Sequence, residues 1–193
     1  MVILSTDRKL ILGSNSPRRR ELLGMLVDDF TVAAVKNVEE IYPADTPADD
    51  VPVYLSRLKA DAYKADLKPD ELLITADTVV IHGADILGKP HDVADACSIL
   101  HLLSDDDHRV VTGVTLTDIN HQSSFATTTE VHFDRLSDEE IDSYIANCRP
   151  FDKAGAYGIQ EWIGAIGISS IHGCYYNVMG LPLHDLYHAL RRF

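Results

Sequence analysis

The sequence predicts a mixed α/β fold in which helices pack against a mixed β-sheet. Short apolar runs followed by helical stretches near the N-terminus indicate strand–turn–helix units. Two long runs rich in β-branched residues, 109–119 and 123–133, indicate paired antiparallel strands, because a short polar turn separates them. No repeat or long linker interrupts the 193 residues. We therefore expect a single domain over residues 1–193.

In the N-terminal third the patterns alternate between strand and helix. The run 9–15 predicts a short buried strand, and 16–26 predicts a helix with Ser16 at its N-cap and Pro17 at the first helical position. A second strand is expected within 30–38. A proline-rich loop then leads to a helix over 54–67.

Downstream, the apolar run ELLITA predicts a core strand that ends at Asp77, followed by a hairpin that turns at Gly83. Helices are expected over 92–104 and 181–193. A further helix is expected to begin at Ser137, where S-D-E-E forms a capping box. The run 163–171 predicts a strand, and 172–180 a loop.

Composition restricts the possible partners and location. The formal net charge of -13 argues against a nucleic-acid or anionic-membrane partner, since both would be repelled. Three cysteines without C-x-x-C spacing, and no signal-like segment or apolar run long enough to span a membrane, favour a reducing compartment. We therefore expect a cytoplasmic protein that does not bind nucleic acid or membrane.

Three consecutive arginines follow the predicted N-cap in this acidic chain. Arg19 falls on the helical stripe of leucines that faces the core, whereas Arg20 lies on the flank and should meet solvent. A guanidinium on a buried first turn needs an anion, and a helix N-terminus also favours one. The predicted phosphate cradle consists of Ser14, Ser16, Arg18 and Arg19. The alternative is a structural ion pair of one of these arginines with Glu39 or Asp77.

Carboxylates and lysines suggest how such a site would be completed. The carboxyl end of a core strand, where Asp77 is expected, is where open α/β sheets collect ligands. Asp77 with Glu39 or Glu40 would supply a base or hold a divalent cation. Spacing alone leaves Lys59 at the edge of a packed helical face and favours a solvated side chain, and Lys89 in the turn I-L-G-K-P is equally ambiguous.

Six short words occur in order along the chain: S-N-S-P-R-R at 14–19, L-K-A at 58–60, T-A-D-T-V-V at 75–80, L-G-K-P at 87–90, T-G-V at 112–114 and D-K-A-G-A-Y-G-I-Q at 152–160. Together with N-V-M-G-L-P at 177–182, this ordered set resembles the Maf family. The resemblance implies the fold of the inosine-triphosphate pyrophosphatases, with an elongated mixed sheet and a cleft between two lobes. It also implies hydrolysis of nucleoside triphosphates to the monophosphate and pyrophosphate with a divalent cation, Mg²⁺ or Mn²⁺.

Carried over by position, the resemblance implies that Asp77 is the proton acceptor, or a carboxylate shared between water and metal, with Glu40 as a metal partner. The positions that would set substrate specificity are Arg18, Thr78 and Gln160. The positions that would hold the triphosphate are Ser14, Arg19, Lys59 and Lys89. The resemblance further suggests a homodimer acting on free nucleoside triphosphates.

The motif D-K-A-G-A-Y-G-I-Q at 152–160 resembles that of the Maf subgroup that acts on dTTP and UTP. A glutamine amide both donates and accepts hydrogen bonds, as the edges of thymine and uracil require. Where many members continue Ile-Gln-Gly, this chain has Glu161 after Gln160. Two alternatives stay open: a nucleotide-binding regulator of septum formation, and a pyrophosphatase for non-standard purine triphosphates.

Overall fold

The computed structural model describes residues 8–34 and 36–193. In that part of the chain the strands are β1 (Lys9–Leu12), β2 (Thr31–Val32), β3 (Glu71–His82), β4 (Asp85–Leu87), β5 (Asp107–Thr117), β6 (Gln122–Phe133) and β7 (Ile168–His172). The α-helices there are α1 (Pro17–Gly24), α2 (Val51–Lys64), α3 (Val93–Leu103), α4 (Asp138–Cys148), α5 (Trp162–Gly167), α6 (Tyr175–Met179) and α7 (Leu183–Leu190). A short 3₁₀ turn spans Ala154–Ala156.

The strands form a seven-stranded mixed sheet in the order β2-β1-β3-β5-β6-β7, with β4 paired to β3. Strand β1 runs parallel to both β2 and β3. Strand β4 is antiparallel to β3, and β7 is antiparallel to β6. This arrangement confirms the predicted fold class, a mixed sheet flanked by helices.

Local signals place the helix starts as predicted. The Ser16 side chain accepts a hydrogen bond from the Arg19 main-chain N–H, with Pro17 as the first residue of α1. At α4 both hydrogen bonds of the capping box form, between Ser137 and Glu140. The hairpin between β3 and β4 turns at Gly83, whose φ of 58° favours glycine.

The predictions for 30–38, 163–171 and 172–180 were wrong. Of the strand expected within 30–38 only Thr31–Val32 forms, and Val35 lies outside the described residues. The first half of the strand expected over 163–171 is helix α5, whose turn begins where the Gly164 N–H donates to the Glu161 carbonyl, and the predicted loop 172–180 contains helix α6. Both helices are too short for a hydrophobic period to indicate them.

Contacts divide the chain into two compact units. The first comprises the described residues between 8 and 77 together with Thr112–Thr127 and Gly180–Phe193, and the second comprises Thr78–Val111 and Thr128–Met179. Each unit has its own apolar core: residues such as Ala60, Tyr63 and Leu73 in the first, and a larger cluster around Phe133 in the second. The prediction of one domain over residues 1–193, with a cleft between lobes, stays a prediction.

Within residues 8–34 and 36–193, no helix combines the length and the apolarity that crossing a membrane requires. The cysteines Cys97, Cys148 and Cys174 form no disulfide in the structure.

A histidine is buried in the core of the second unit. His108 is 2% exposed, its Nε2 lies 2.7 Å from the Tyr157 hydroxyl, and its ring stacks on Phe133 at 5.6 Å between centroids. Burial lowers the pKa of His108 from 6.5 to about 4. The folded protein therefore holds this imidazole neutral at pH values where the unfolded chain protonates it.

We expect His108 to make the fold acid-sensitive. The unfolded state binds the extra proton below pH 6.5, so the free energy of unfolding falls as the pH drops from 6.5 towards 4. Between pH 7 and pH 5 this group should cost about 2 kcal/mol, and His108→Gln should lose correspondingly less than the parent over that interval. Urea unfolding at the two pH values measures the difference. Parallel losses in parent and variant would show that His108 is not responsible, and His91→Gln, an exposed histidine, is the control that should behave like the parent.

Candidate active site

Asp77 lies in the middle of β3, not at its end as the sequence predicted, because the strand continues to His82. The neighbouring strand β1 stops at Leu12, which is paired with Ile74. Asp77 thus lies three residues beyond Ile74, the last residue of β3 that pairs with β1, and so beyond the carboxyl end of that parallel neighbour. The side chain is nevertheless buried, with the residue only 8% exposed. A buried carboxylate of this kind needs a cationic partner.

That partner is Lys59 on α2. Its Nζ lies 2.5 Å from Oδ1 of Asp77 and 2.9 Å from Oε1 of Glu40, and its side chain is 18% exposed. Burial raises the pKa of Asp77, and the charges of Lys59 and Arg19 oppose that increase. The structure therefore contradicts the solvated lysine favoured by helical spacing and shows a cation held between two carboxylates.

Buried polar contacts hold α2 in the position that directs Lys59 towards Asp77. Ser56 lies one turn before Lys59, and its hydroxyl is 2.7 Å from the hydroxyl of Thr115 on β5. The main-chain carbonyl of Ser56 accepts a hydrogen bond from the Thr75 hydroxyl on β3. The first turn of α2 also contacts the backbone of β5. A Cβ at Gly113 would lie 2.3 Å from the carbonyl carbon of Pro52. The glycine of the motif T-G-V at 112–114 is therefore required, because a side chain at this position would prevent the close contact between β5 and the start of α2.

Glu40 reaches the site from an irregular segment that is attached to the other end of α2. The Lys36 ammonium donates to the Ala62 carbonyl at 2.7 Å, and the Lys36 main-chain N–H donates to the hydroxyl of Tyr63. The Glu40 side chain is half exposed, in contrast to Asp77. The two carboxylates therefore differ in environment, with one buried and one accessible to water.

The first turn of α1 supplies a second cation near Asp77. The Arg19 guanidinium donates through Nε to the Gly180 carbonyl and through Nη1 to the Ala76 carbonyl, both at 2.8 Å, and Nη1 lies 3.5 Å from the Ser14 hydroxyl. Burial lowers the pKa of Arg19, against the effect of the Asp77 charge. Arg19 thereby connects α1 to the residue that immediately precedes Asp77.

The other two arginines differ in exposure. Arg18 is half-buried, and Arg20 is exposed, as its position on the helix flank predicted. The Ser14 hydroxyl also accepts from the Ser16 main-chain N–H at 3.2 Å. The structure therefore brings Ser14, Arg19, Glu40, Lys59 and Asp77 together in the first unit.

The remaining predicted residues belong to the second unit. Thr78 directly follows Asp77 in β3 and is half-buried. Lys89 is exposed in the turn after β4, where the preceding Gly88 carbonyl accepts from the Gly155 N–H at 3.1 Å. Gln160 is exposed in the turn before α5. Their roles toward a nucleotide stay predictions.

The donor set of the first unit suits a hard divalent cation. Asp77 and Glu40 offer carboxylate oxygens that share one ammonium as partner, and Mg²⁺ is commonly held by one or two carboxylates plus substrate phosphates and water. Across the described ranges 8–34 and 36–193, no three His, Cys, Asp or Glu side chains are grouped to hold a metal.

Sequence reasoning missed several groups that shape these residues. The carbonyls of Ala76 and Gly180, which fix Arg19, carry no sequence signal, because any residue has a carbonyl. In the second unit, Tyr144 and Lys153 contact Glu161 beside Gln160. Lys153 lies inside the D-K-A-G-A-Y-G-I-Q word, so attention to that word would have found it.

A mixed sheet flanked by helices, with a buried carboxylate and a lysine shared by two acids in its first unit, makes this an α/β protein with a candidate active site. The family model described as "Maf: Maf-like protein" matches residues 9–193, and the chain belongs to that family.

Curated relatives agree over nearly the whole length. The chain is 51% identical over 184 residues to the "dTTP/UTP pyrophosphatase" of Phocaeicola vulgatus, covering 95% of each chain. It is 50% identical over 187 residues to the protein of that name from Porphyromonas gingivalis, covering 96% of this chain and 94% of the relative. A solved structure, that of a HAM1 protein from Coxiella burnetii, is similar in fold with a TM-score of 0.51, 13% identity, and coverage of 96% of this chain and all of that one.

Proposed function

We propose that this chain is a nucleoside triphosphate pyrophosphatase that hydrolyses dTTP and UTP to the nucleoside monophosphate and pyrophosphate. The observation that carries the proposal is the Lys59 ammonium between Asp77 and Glu40, with Arg19 nearby. The names of the relatives from Phocaeicola vulgatus and Porphyromonas gingivalis support the same substrates.

In the proposed reaction a water molecule attacks the α-phosphorus, and the bond from that phosphorus to the bridging oxygen of pyrophosphate breaks. Asp77 accepts the proton that the attacking water loses. Its burial raises its pKa, which makes the carboxylate a stronger base than an exposed aspartate. The products are the monophosphate, pyrophosphate and one proton.

Positive charge would stabilise the leaving group. A triphosphate brings negative charge into a chain of net charge -13, so binding depends on local cations. Arg19 and Lys59, with Ser14 as a neutral donor, are the groups of the first unit that would hold it, and Lys89 is the proposed contribution of the second unit. These cations attract the departing oxygen more strongly as it gains negative charge in the transition state.

The proposed cofactor is Mg²⁺ or Mn²⁺, held by Asp77 and Glu40. When bound, such a cation neutralises phosphate charge and orients phosphate oxygens. Lys59 must then release at least one of its two carboxylates, and its ammonium becomes available to the triphosphate. Glu40 is the more exposed of the two acids.

Arg18, Thr78 and Gln160 are the proposed specificity residues. The Gln160 amide carries both a donor and an acceptor, which matches the carbonyl and N–H groups that thymine and uracil share. Its exposure leaves these groups available to a base. We further propose, from the family resemblance, that the protein acts as a cytoplasmic homodimer on free nucleotides.

The experiment is a panel of canonical and modified nucleoside triphosphates incubated with the purified protein and Mg²⁺ or Mn²⁺, with products separated by anion exchange. We expect monophosphate and pyrophosphate, formed mainly from dTTP and UTP and abolished by a chelator. If the products were orthophosphate and the nucleoside diphosphate, the proposed reaction type would be wrong. Preferential turnover of inosine or xanthosine triphosphate would show that the substrates are non-standard purine nucleotides and not pyrimidine nucleotides. Binding without turnover would favour the alternative of a nucleotide-binding regulator of septum formation.

A further inference from the structure

The turn that carries Gln160 is fixed at both ends by one tyrosine hydroxyl. The Tyr144 hydroxyl on α4 accepts a hydrogen bond from the Gly158 main-chain N–H at 3.1 Å and donates to the Glu161 carboxylate. The Glu161 N–H in turn donates to the Gly158 carbonyl at 2.9 Å, which closes the turn. Gln160 is therefore the exposed residue of a turn whose flanking residues share one buried partner.

Glu161 is also held by a buried cation. Its Oε1 lies 3.1 Å from Nζ of Lys153, whose side chain is only 9% exposed. The pKa of Tyr144 is raised by burial and by the Glu161 contact, so its hydroxyl stays protonated and remains a donor to the carboxylate. Lys153, Tyr144 and Glu161 form a charge-assisted network that would be costly to leave partly satisfied.

The Gln160 side chain lies back against this turn. A Cβ placed on Gly158 would lie 3.0 Å from Nε2 of Gln160 and 2.9 Å from Cδ of Glu161. Glycine at 158 thus leaves the space in which the amide nitrogen of Gln160 and the carboxylate of Glu161 lie side by side. The carbonyl of Glu161 also starts helix α5, accepting from the Gly164 N–H at 3.0 Å, so the turn cannot shift without that helix.

A turn held in one conformation limits where the Gln160 amide can be placed, and this limit has a chemical consequence. A free glutamine can rotate and present either its oxygen or its nitrogen to a given position of a base. Thymine offers an acceptor at O4 where cytosine offers a donor at N4, so a rotating amide serves both, whereas a fixed amide favours one. The discrimination between these bases therefore depends on what fixes the turn.

We propose that Glu161, together with Tyr144 and Lys153, is a positioning residue that orients Gln160 and so sets the preference for thymine and uracil over cytosine. This inference rests on the proposed function, because it assumes that Gln160 reads the base.

The test compares Tyr144→Phe and Glu161→Gln with the parent, using the ratio of kcat/KM for dTTP to that for dCTP. Tyr144→Phe removes the hydroxyl and keeps the ring, while Glu161→Gln keeps the shape and removes the charge. We expect each variant to lower the ratio roughly tenfold, the effect of about one lost hydrogen bond, mainly through KM. Tyr176→Phe, an exposed tyrosine of the same unit, should leave the ratio unchanged.

A second comparison separates positioning from mere stability. In a Gln160→Ala background, Tyr144→Phe should not lower the ratio further, since no amide remains to be oriented. An unchanged ratio in both single variants, with only a lower Tm, would overturn the inference, and so would an equal loss in the Gln160→Ala background. A parent that turns over no nucleotide would instead overturn the proposed function, and this inference with it.

Discussion

Asp77→Asn should abolish hydrolysis of dTTP and UTP while the protein still binds nucleotide. Loss of a general base typically costs 10²–10⁴-fold, and a residue that also holds the cation should lie at the upper end, so we expect kcat to fall by about 10³-fold or more. The asparagine has nearly the same shape, and Lys59 keeps Glu40 as a partner, so the fold should persist. Steady-state rates of pyrophosphate release and calorimetric nucleotide binding measure the two effects separately.

The binding measurement distinguishes chemistry from recognition. Arg19, Lys59 and Glu40 remain in the variant, so nucleotide binding should persist although Asp77 no longer helps to hold the cation. Asp29→Asn, which makes the same charge change at an exposed position of the same unit, should retain parental activity. If Asp77→Asn turned over dTTP at the parental rate, Asp77 would not be the base.

Lys59→Met should cause the second large loss. The variant keeps the aliphatic side chain on α2 but removes the ammonium shared by Asp77 and Glu40, so the site loses a cation that would otherwise bind the triphosphate. Removing one electrostatic stabiliser of a transition state costs about 10²–10³-fold in turnover. We expect kcat/KM for dTTP to fall by that factor.

The matched control is Lys64→Met on the same helix, where the lysine is exposed. It loses the same charge and should stay within about threefold of the parent, because a distant exposed charge is screened by solvent. Thermal unfolding of both variants reports any loss of the fold. An active Lys59→Met enzyme would show that the Lys59 ion pairs are only structural.

Comparison of the helix ends and the strand ends shows how far the sequence predicts this structure. The N-caps at Ser16 and Ser137 and the turn at Gly83 were all correct, because each depends on hydrogen bonds or φ angles within a few residues. The end of β3 was misplaced, because β3 passes Asp77 after its partner β1 has stopped. The pairing of distant strands determines that length, and it leaves no local mark.

The candidate site divides in the same way. By itself the sequence determined the fold class, the helix start that carries Arg19, the solvent exposure of Arg20 and, through the resemblance, which residues are candidates. Only the tertiary structure decided that Lys59 lies between Asp77 and Glu40, that main-chain carbonyls fix Arg19, and that Tyr144 and Lys153 hold Glu161 beside Gln160. Capping and hydrophobic period act over a few residues, whereas these contacts join residues far apart in the chain through burial and charge.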